Sequence, residues 1–174
     1  MSATKPLRFP VVVAASEYLV MGYLMRRNIN VYKAPINNEG YDLIAIHPDP
    51  RHKPKTRTKP QVRIQVKSRY ATDAPRMFPL KAKSLDAFDF LVLVFTNIGT
   101  YNRRRGKGYE PTSPLFFTFP QSVIPAAHET GTSWEKVRLS NIRDVDRYEG
   151  DRGFELIAKA LGVVPPTRPP EVGD

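Results

Sequence analysis

The sequence has no cysteine, which excludes disulfides and zinc–thiolate centres and predicts a reducing, cytoplasmic setting. No apolar run approaches the ~20 residues that a membrane-spanning helix needs, so no membrane partner is expected. The apolar stretch Val11 to Ala15 is followed at once by Glu17 and by no convincing cleavage site, and does not read as a secretory leader. There is no glycine-rich nucleotide-binding loop and no internal repeat. Histidine is scarce: His47, His52 and His128 lack the paired spacing of a metal centre. Ser16, Ser68 and Ser122 lack the Gly-x-Ser-x-Gly setting of an activated nucleophile.

Acid is the most informative scarcity. Between Arg51 and Lys107, fifteen lysines and arginines stand against three acids, Asp73, Asp86 and Asp89. That segment carries +12 in a chain of net charge +10, so the remainder is close to neutral. A basic middle on a neutral frame is the footprint of a polyanion binder. Its candidate contacts fall in two places. The proline-rich connection His47 to Pro60 holds Arg51, Lys53, Lys55, Arg57 and Lys59, and Arg63 and Arg69 continue the series. A later glycine-containing loop holds Arg103, Arg104, Arg105 and Lys107 beside Tyr101 and Tyr109, a mixture suited to phosphates and unstacked bases.

With 174 residues, 41% of them hydrophobic, the chain is long enough for a proper core. Val11 to Arg27 has helical spacing, with Val13, Val20, Met21 and Leu24 on one stripe and Glu17 among them. Val31 to Ala34, Leu43 to Ile46, Val62 to Ser68, Phe88 to Thr96 and Leu115 to Phe119 read as strands; the near-continuous FDFLVLVFT run predicts one covered on both faces. Lys81 to Ala87 and Gln121 to Ala127 read as short helical pieces, and Trp134 to Leu139 as a late extended segment. Asp151 is placed as the cap of a helix ending before Gly162. The alternating acids and arginines at Asp144, Asp146 and Asp151 read as a solvated surface. The expected organisation is one α/β domain over 1–162, with a core over 11–96, peripheral elements over 97–162 and a disordered proline-rich tail over 163–174.

The chemistry concentrates between Gly40 and Tyr70. Alternation along Val62 to Ser68 turns Val62, Ile64 and Val66 to one face and Arg63, Gln65, Lys67 and Arg69 to the other. Asp42 opens the preceding strand as its only carboxylate, and pairing of the two strands brings Asp42, Gln65 and Lys67 to one sheet edge. An acidic oxygen, an amide oxygen and an ammonium at one point suit a hard metal ion beside a phosphate.

An acid at the head of one strand, then an (acid)-x-Lys strand, with a Glu on an upstream helix, resembles the PD-(D/E)xK or restriction-endonuclease-like nuclease superfamily. Here the pattern is Glu17, then Tyr41-Asp42, then Gln65-Val66-Lys67, over about residues 11 to 96. Tyr41 replaces the proline and Gln65 the second carboxylate, the Q-x-K form similar to that of some intron-encoded homing endonucleases. The resemblance implies a mixed central sheet flanked by helices, in an α-β-β-β-α-β core. It implies a metal-dependent DNA endonuclease with Glu17, Asp42, Gln65 and Lys67 as catalytic residues. Magnesium, or manganese in its place, would be held by Asp42, Gln65, the Val66 carbonyl and Glu17. The implied partner is double-stranded or branched DNA, and cutting both strands with one site per chain implies a homodimer. The alternatives are a catalytically inactive nucleic-acid-binding module on this fold and an RNA-binding protein.

Overall fold

The computed structural model of the chain describes residues 10–35, 38–101, 111–131 and 134–164. Helix α1, Pro10–Met25, is apolar on nearly every side, so its periodicity alone does not choose the inward face. Packing on the sheet chooses it: Ser16, Val20 and Leu24 are fully buried, and the Ser16 hydroxyl donates back to the Val12 carbonyl at 2.7 Å. Val13, expected on the buried stripe, is 58% exposed. Asn28 ends the helix in the left-handed conformation that asparagine tolerates (φ 59°).

Five strands form the main sheet: β1 Asn30–Lys33, β2 Leu43–Ile46, β3 Gln61–Arg69, β5 Phe90–Phe95 and β6 Leu115–Pro120, in the order β1-β2-β3-β5-β6. Only the β3–β5 pair is parallel. A second, three-stranded antiparallel sheet is built from β4 Met77–Pro79, β7 His128–Glu129 and β8 Lys136–Arg138, with β8 central. This is the mixed α/β layout implied by the sequence. The short helix expected over Lys81–Ala87 is reduced to one 3-10 turn, Ala82–Ser84. The extended segment read over 134–139 proves to be the centre of the small sheet.

Side-chain alternation sorts the core into two layers. On one face of the main sheet Val62, Ile64, Val66, Phe90, Val92 and Val94 pack against α1 and against α2, Gly150–Leu161. On the other face Leu91, Leu93, Phe95, Phe117 and Phe119 pack against Phe78, Val137 and Leu139 of the small sheet and its flank. Every residue of β5 is buried, as its unbroken apolar run predicts. α2 buries Phe154, Ile157, Ala158 and Leu161 and closes at Gly162 (φ 74°), where the Val163 N–H reaches the Ala158 carbonyl. Asp151 lies inside the first turn and pairs with Arg27; the residue before the helix is Glu149. Of the expected tail, Val163 is buried in the first layer, and 165–174 lie outside the described residues. Among the described residues no helix is long and apolar enough to cross a membrane.

Candidate functional site

β3 carries the centre of the site, because its two faces serve different purposes. Val62, Ile64 and Val66 face the helices, so Gln65 and Lys67 must face the small sheet. Leu43 stands opposite Ile64 across the antiparallel pair, and the Asp42 N–H donates to the Ile64 carbonyl at 2.8 Å, which seats Asp42 beside Gln65. Gly40 makes that approach possible. Its φ is +99°, and a Cβ there would lie 2.2 Å from the Ala87 Cβ, so both conformation and space demand glycine.

Asp42 is held through one oxygen. Oδ2 accepts the Val66 N–H at 2.7 Å and also a hydrogen bond from the Gln65 amide nitrogen. That same nitrogen lies 3.3 Å from the Val66 carbonyl oxygen. Gln65 is only 6% exposed, so its amide is fixed among the oxygens of Asp42 and Val66. Burial pushes the Asp42 carboxyl above the ordinary aspartate range, and the Glu17 charge acts in the same direction. The Val66 N–H, Lys67 and Gln65 oppose the shift. Asp42 thus feels Glu17 and Lys67 at once, which places the four candidate residues in one electrostatic environment.

Glu17 reaches this environment from α1 and forms an ion pair with Lys33 of β1. Sequence reasoning did not find Lys33. It arrives through strand pairing, since Lys33 stands opposite Leu43, the residue after Asp42. Lys67 forms no ion pair among the described residues and lines a cleft of about 500 Å³ with Gln65 and Gly40. The far wall comes from the small sheet and its approach: Leu80, Lys81, Trp134 and Glu135. Glu135 fastens that wall, its carbonyl accepting the Leu80 N–H at 3.1 Å and its carboxylate the Ala82 N–H. Among the described residues no group of three His, Cys, Asp or Glu converges as for a metal ion; Glu39 and Glu135 also line the cleft, Glu39 paired with Lys83 and Glu135 bonded to the Ala82 N–H.

The expected basic residues are dispersed. Arg51, Lys53, Lys55 and Arg57 are exposed on the β2–β3 connection. It meets β3 at Gln61, six residues before Lys67 and therefore roughly 20 Å along the strand. Lys59 and Arg63 are taken up by Asp89, at 2.5 and 3.3 Å. Arg69 folds inward, donating to the Met77 carbonyl with its guanidinium 5.4 Å from the Phe78 ring centre. Arg103, Arg104, Arg105 and Lys107 lie outside the described residues.

No protein-family model matches the sequence, and no curated protein matches it. Among solved structures the chain is similar to a bacterial homing endonuclease, with 17% identity and a TM-score of 0.48, over 93% of this chain and 96% of that one. It is also similar to a Holliday junction resolvase from the archaeal hyperthermophile Archaeoglobus fulgidus, with 13% identity and a TM-score of 0.45, over 88% of this chain and 98% of that one.

Proposed function

We propose that the chain is a metal-dependent endonuclease that hydrolyses DNA phosphodiester bonds. The observation that carries this reading is that Gln65 and Lys67 line an open cleft from one face of β3, with Asp42 hydrogen-bonded to Gln65 beside them. A half-buried carboxylate whose pKa is raised despite a nearby lysine differs from a structural ion pair, in which the partner charge would lower it. The strongly basic middle of the chain supports a polyanionic substrate.

The donor set fits a hard divalent cation. The Asp42 carboxylate and the Val66 carbonyl both approach one positively polarised group, the Gln65 amide nitrogen. Reversing that amide presents its oxygen in place of its nitrogen. Asp42, the Gln65 amide oxygen and the Val66 carbonyl would hold magnesium, or manganese, with Glu17 as the second carboxylate. The ligand charge of −2 leaves positions for water and substrate phosphate. When bound, the ion supplies Lewis-acid stabilisation and a more acidic water.

The chain's own contribution is positional and electrostatic. Val66 fixes the Asp42 carboxylate through its N–H, and Gly40 lets the backbone deliver it. Lys67 offers its ammonium to a non-bridging phosphate oxygen, where negative charge grows as water adds to phosphorus. The attacking water gives up one proton to solvent water, the bond from phosphorus to one ester oxygen breaks, and that oxygen takes up a proton from water. The substrate class is duplex or branched DNA, and a homodimer supplies the second site that cutting both strands requires. The lack of cysteine suits a cytosolic setting.

Supercoiled plasmid incubated with magnesium or manganese, with a chelated control, tests the reading. Conversion to nicked or linear plasmid only with free metal is expected. Binding without any conversion sinks it in favour of a second reading, a DNA-binding module. The Gln65 amide favours that alternative, because it satisfies Asp42 without any cation.

A further inference from the structure

Trp134 is the only tryptophan in the chain. It is 42% exposed and lines the same cleft as Gln65 and Lys67. A single exposed apolar residue is unremarkable in itself; this one stands beside the proposed chemistry and is braced. The Lys136 ammonium sits over the indole, 5.5 Å from the ring centre. Lys136 is itself buried, with its ammonium 3.3 Å from the Glu129 carboxylate. The backbone beside the ring is fixed as well. Glu135 is hydrogen-bonded to Leu80, and Lys136 pairs with Pro79 in the small sheet. The 42% exposure of Trp134 leaves part of the indole open beside the cleft.

Lys67, Lys81 and Lys83 line the same cleft, with Lys83 paired to Glu39 at 3.3 Å and Glu135 on the far wall, so Lys67 and Lys81 are the cations offered to a phosphate. Ammonium groups beside an exposed, braced aromatic make the two-part surface that holds single-stranded nucleic acid: charge for the phosphates, a π-face for a base. An intact duplex cannot use the second part, because each base face is covered by its stacked neighbours and only the edges are open. We propose that Trp134 is a stacking platform for an unpaired base, so that this site takes DNA in which the nucleotide adjoining the attacked phosphate has left the helix. Attack on that phosphate rests on the nuclease reading; the stacking does not.

The native fluorescence of Trp134 reports on this directly, because no other tryptophan contributes. The full chain, in chelator so that nothing is cut, is titrated with oligothymidylate and with an abasic oligomer of equal length and charge. Occupancy is followed separately through an end label. At equal occupancy, strong quenching by oligothymidylate and little by the abasic oligomer is expected; equal quenching by both, or none by either, overturns the proposal. Trp134→Ala should weaken oligothymidylate binding roughly tenfold or more, a loss typical of one stacked base. Trp134→Phe should recover most of it, and heparin affinity should stay unchanged in both variants. Heparin affinity falling in step, or a Phe variant as weak as Ala, assigns the ring a purely structural role. The plasmid assay separates the two ideas. Base-dependent quenching without cleavage removes the nuclease and leaves the platform; cleavage without base-dependent quenching removes the platform alone.

Discussion

Asp42 and Asp89 are both carboxylates braced on β3, and they are treated in opposite ways. Asp89 receives the Lys59 ammonium, the Arg63 guanidinium and the Arg63 backbone N–H, the last at 2.7 Å. Burial alone would raise its pKa, but these donors together pull it below the ordinary range. Asp42 receives one backbone N–H and one neutral amide, with Lys67 near but unpaired to it, and burial wins. The first arrangement satisfies its charge and holds two strand ends together. The second gives a partly desolvated carboxylate only neutral hydrogen-bond donors, which is costlier for folding than an ion pair and suits a residue that does chemistry.

If that contrast is right, substitutions at the two places separate activity from stability. Asp42→Asn and Lys67→Ala should each lower plasmid nicking by a factor on the order of 10² or more, with melting temperatures unchanged or slightly raised. Asn retains an oxygen for the Val66 N–H and removes the half-buried charge. Nicking at the wild-type rate in either variant would take that residue out of the mechanism.

Gly40→Ala sharpens the contrast, because it changes the backbone that delivers Asp42 and touches neither the ion pairs nor the hydrogen bonds of Asp89. A positive φ and a Cβ only 2.2 Å from Ala87 together predict a loss of about 2–4 kcal/mol. Chemical denaturation would measure it. Adding Ala87→Gly should recover the steric part and not the conformational part. Full recovery would mean that φ at this position carries no strain.

Asp89→Asn is the converse of the Asp42 change. Losing charge-assisted bonds to Lys59 and Arg63 should cost about 2 kcal/mol, seen as a melting temperature lower by roughly 4–8 °C. Nicking at a temperature where the variant is folded should be unaffected. A catalytic defect there would break the division between the two aspartates.

How far the sequence discloses this division depends on whether the information is local. Alternation along Val62 to Ser68 is local, and it places Gln65 and Lys67 correctly on one face. Asp42 follows from the strand after it. α1 is apolar nearly all round, so nothing local distinguishes Val13, which is exposed, from Val20, which is buried. β4 and β7 are three and two residues long, too short for any period. They exist because Met77 meets Arg138 and His128 meets Val137, partners distant or hidden in the chain. Lys33 and Trp134 reach the site through such pairings and left no signal. The basic residues Arg51 to Lys59 are near β3 in sequence but meet its far end. Nearness along the chain was a poor guide to nearness around Lys67.

Glu129 extends the comparison to the small sheet with the gentlest perturbation. Its carboxylate grips Arg138 through both oxygens, at 2.6 and 3.3 Å, and also meets Lys136 at 3.3 Å. The Arg138 hydrogen bond is the main reason that its pKa falls from 4.5 to about 2. A carboxyl group lowered on folding stabilises the fold fully above its unfolded value, and that contribution disappears as pH falls through its folded value. Glu129 therefore supports the small sheet above pH 4.5 and ceases to do so near pH 2. Glu129→Gln should be the less stable protein at neutral pH, and the gap between the two proteins should close between pH 4.5 and 2. The effect should be the smallest of the series, because Glu129 and Arg138 are both partly exposed and their attraction is weakened by solvent and salt. Thermal melts at stepped pH would follow it. A gap that stayed constant down to pH 2 would mean that Glu129 acts through its shape, and that the small sheet does not share the paired-carboxylate logic of Asp89.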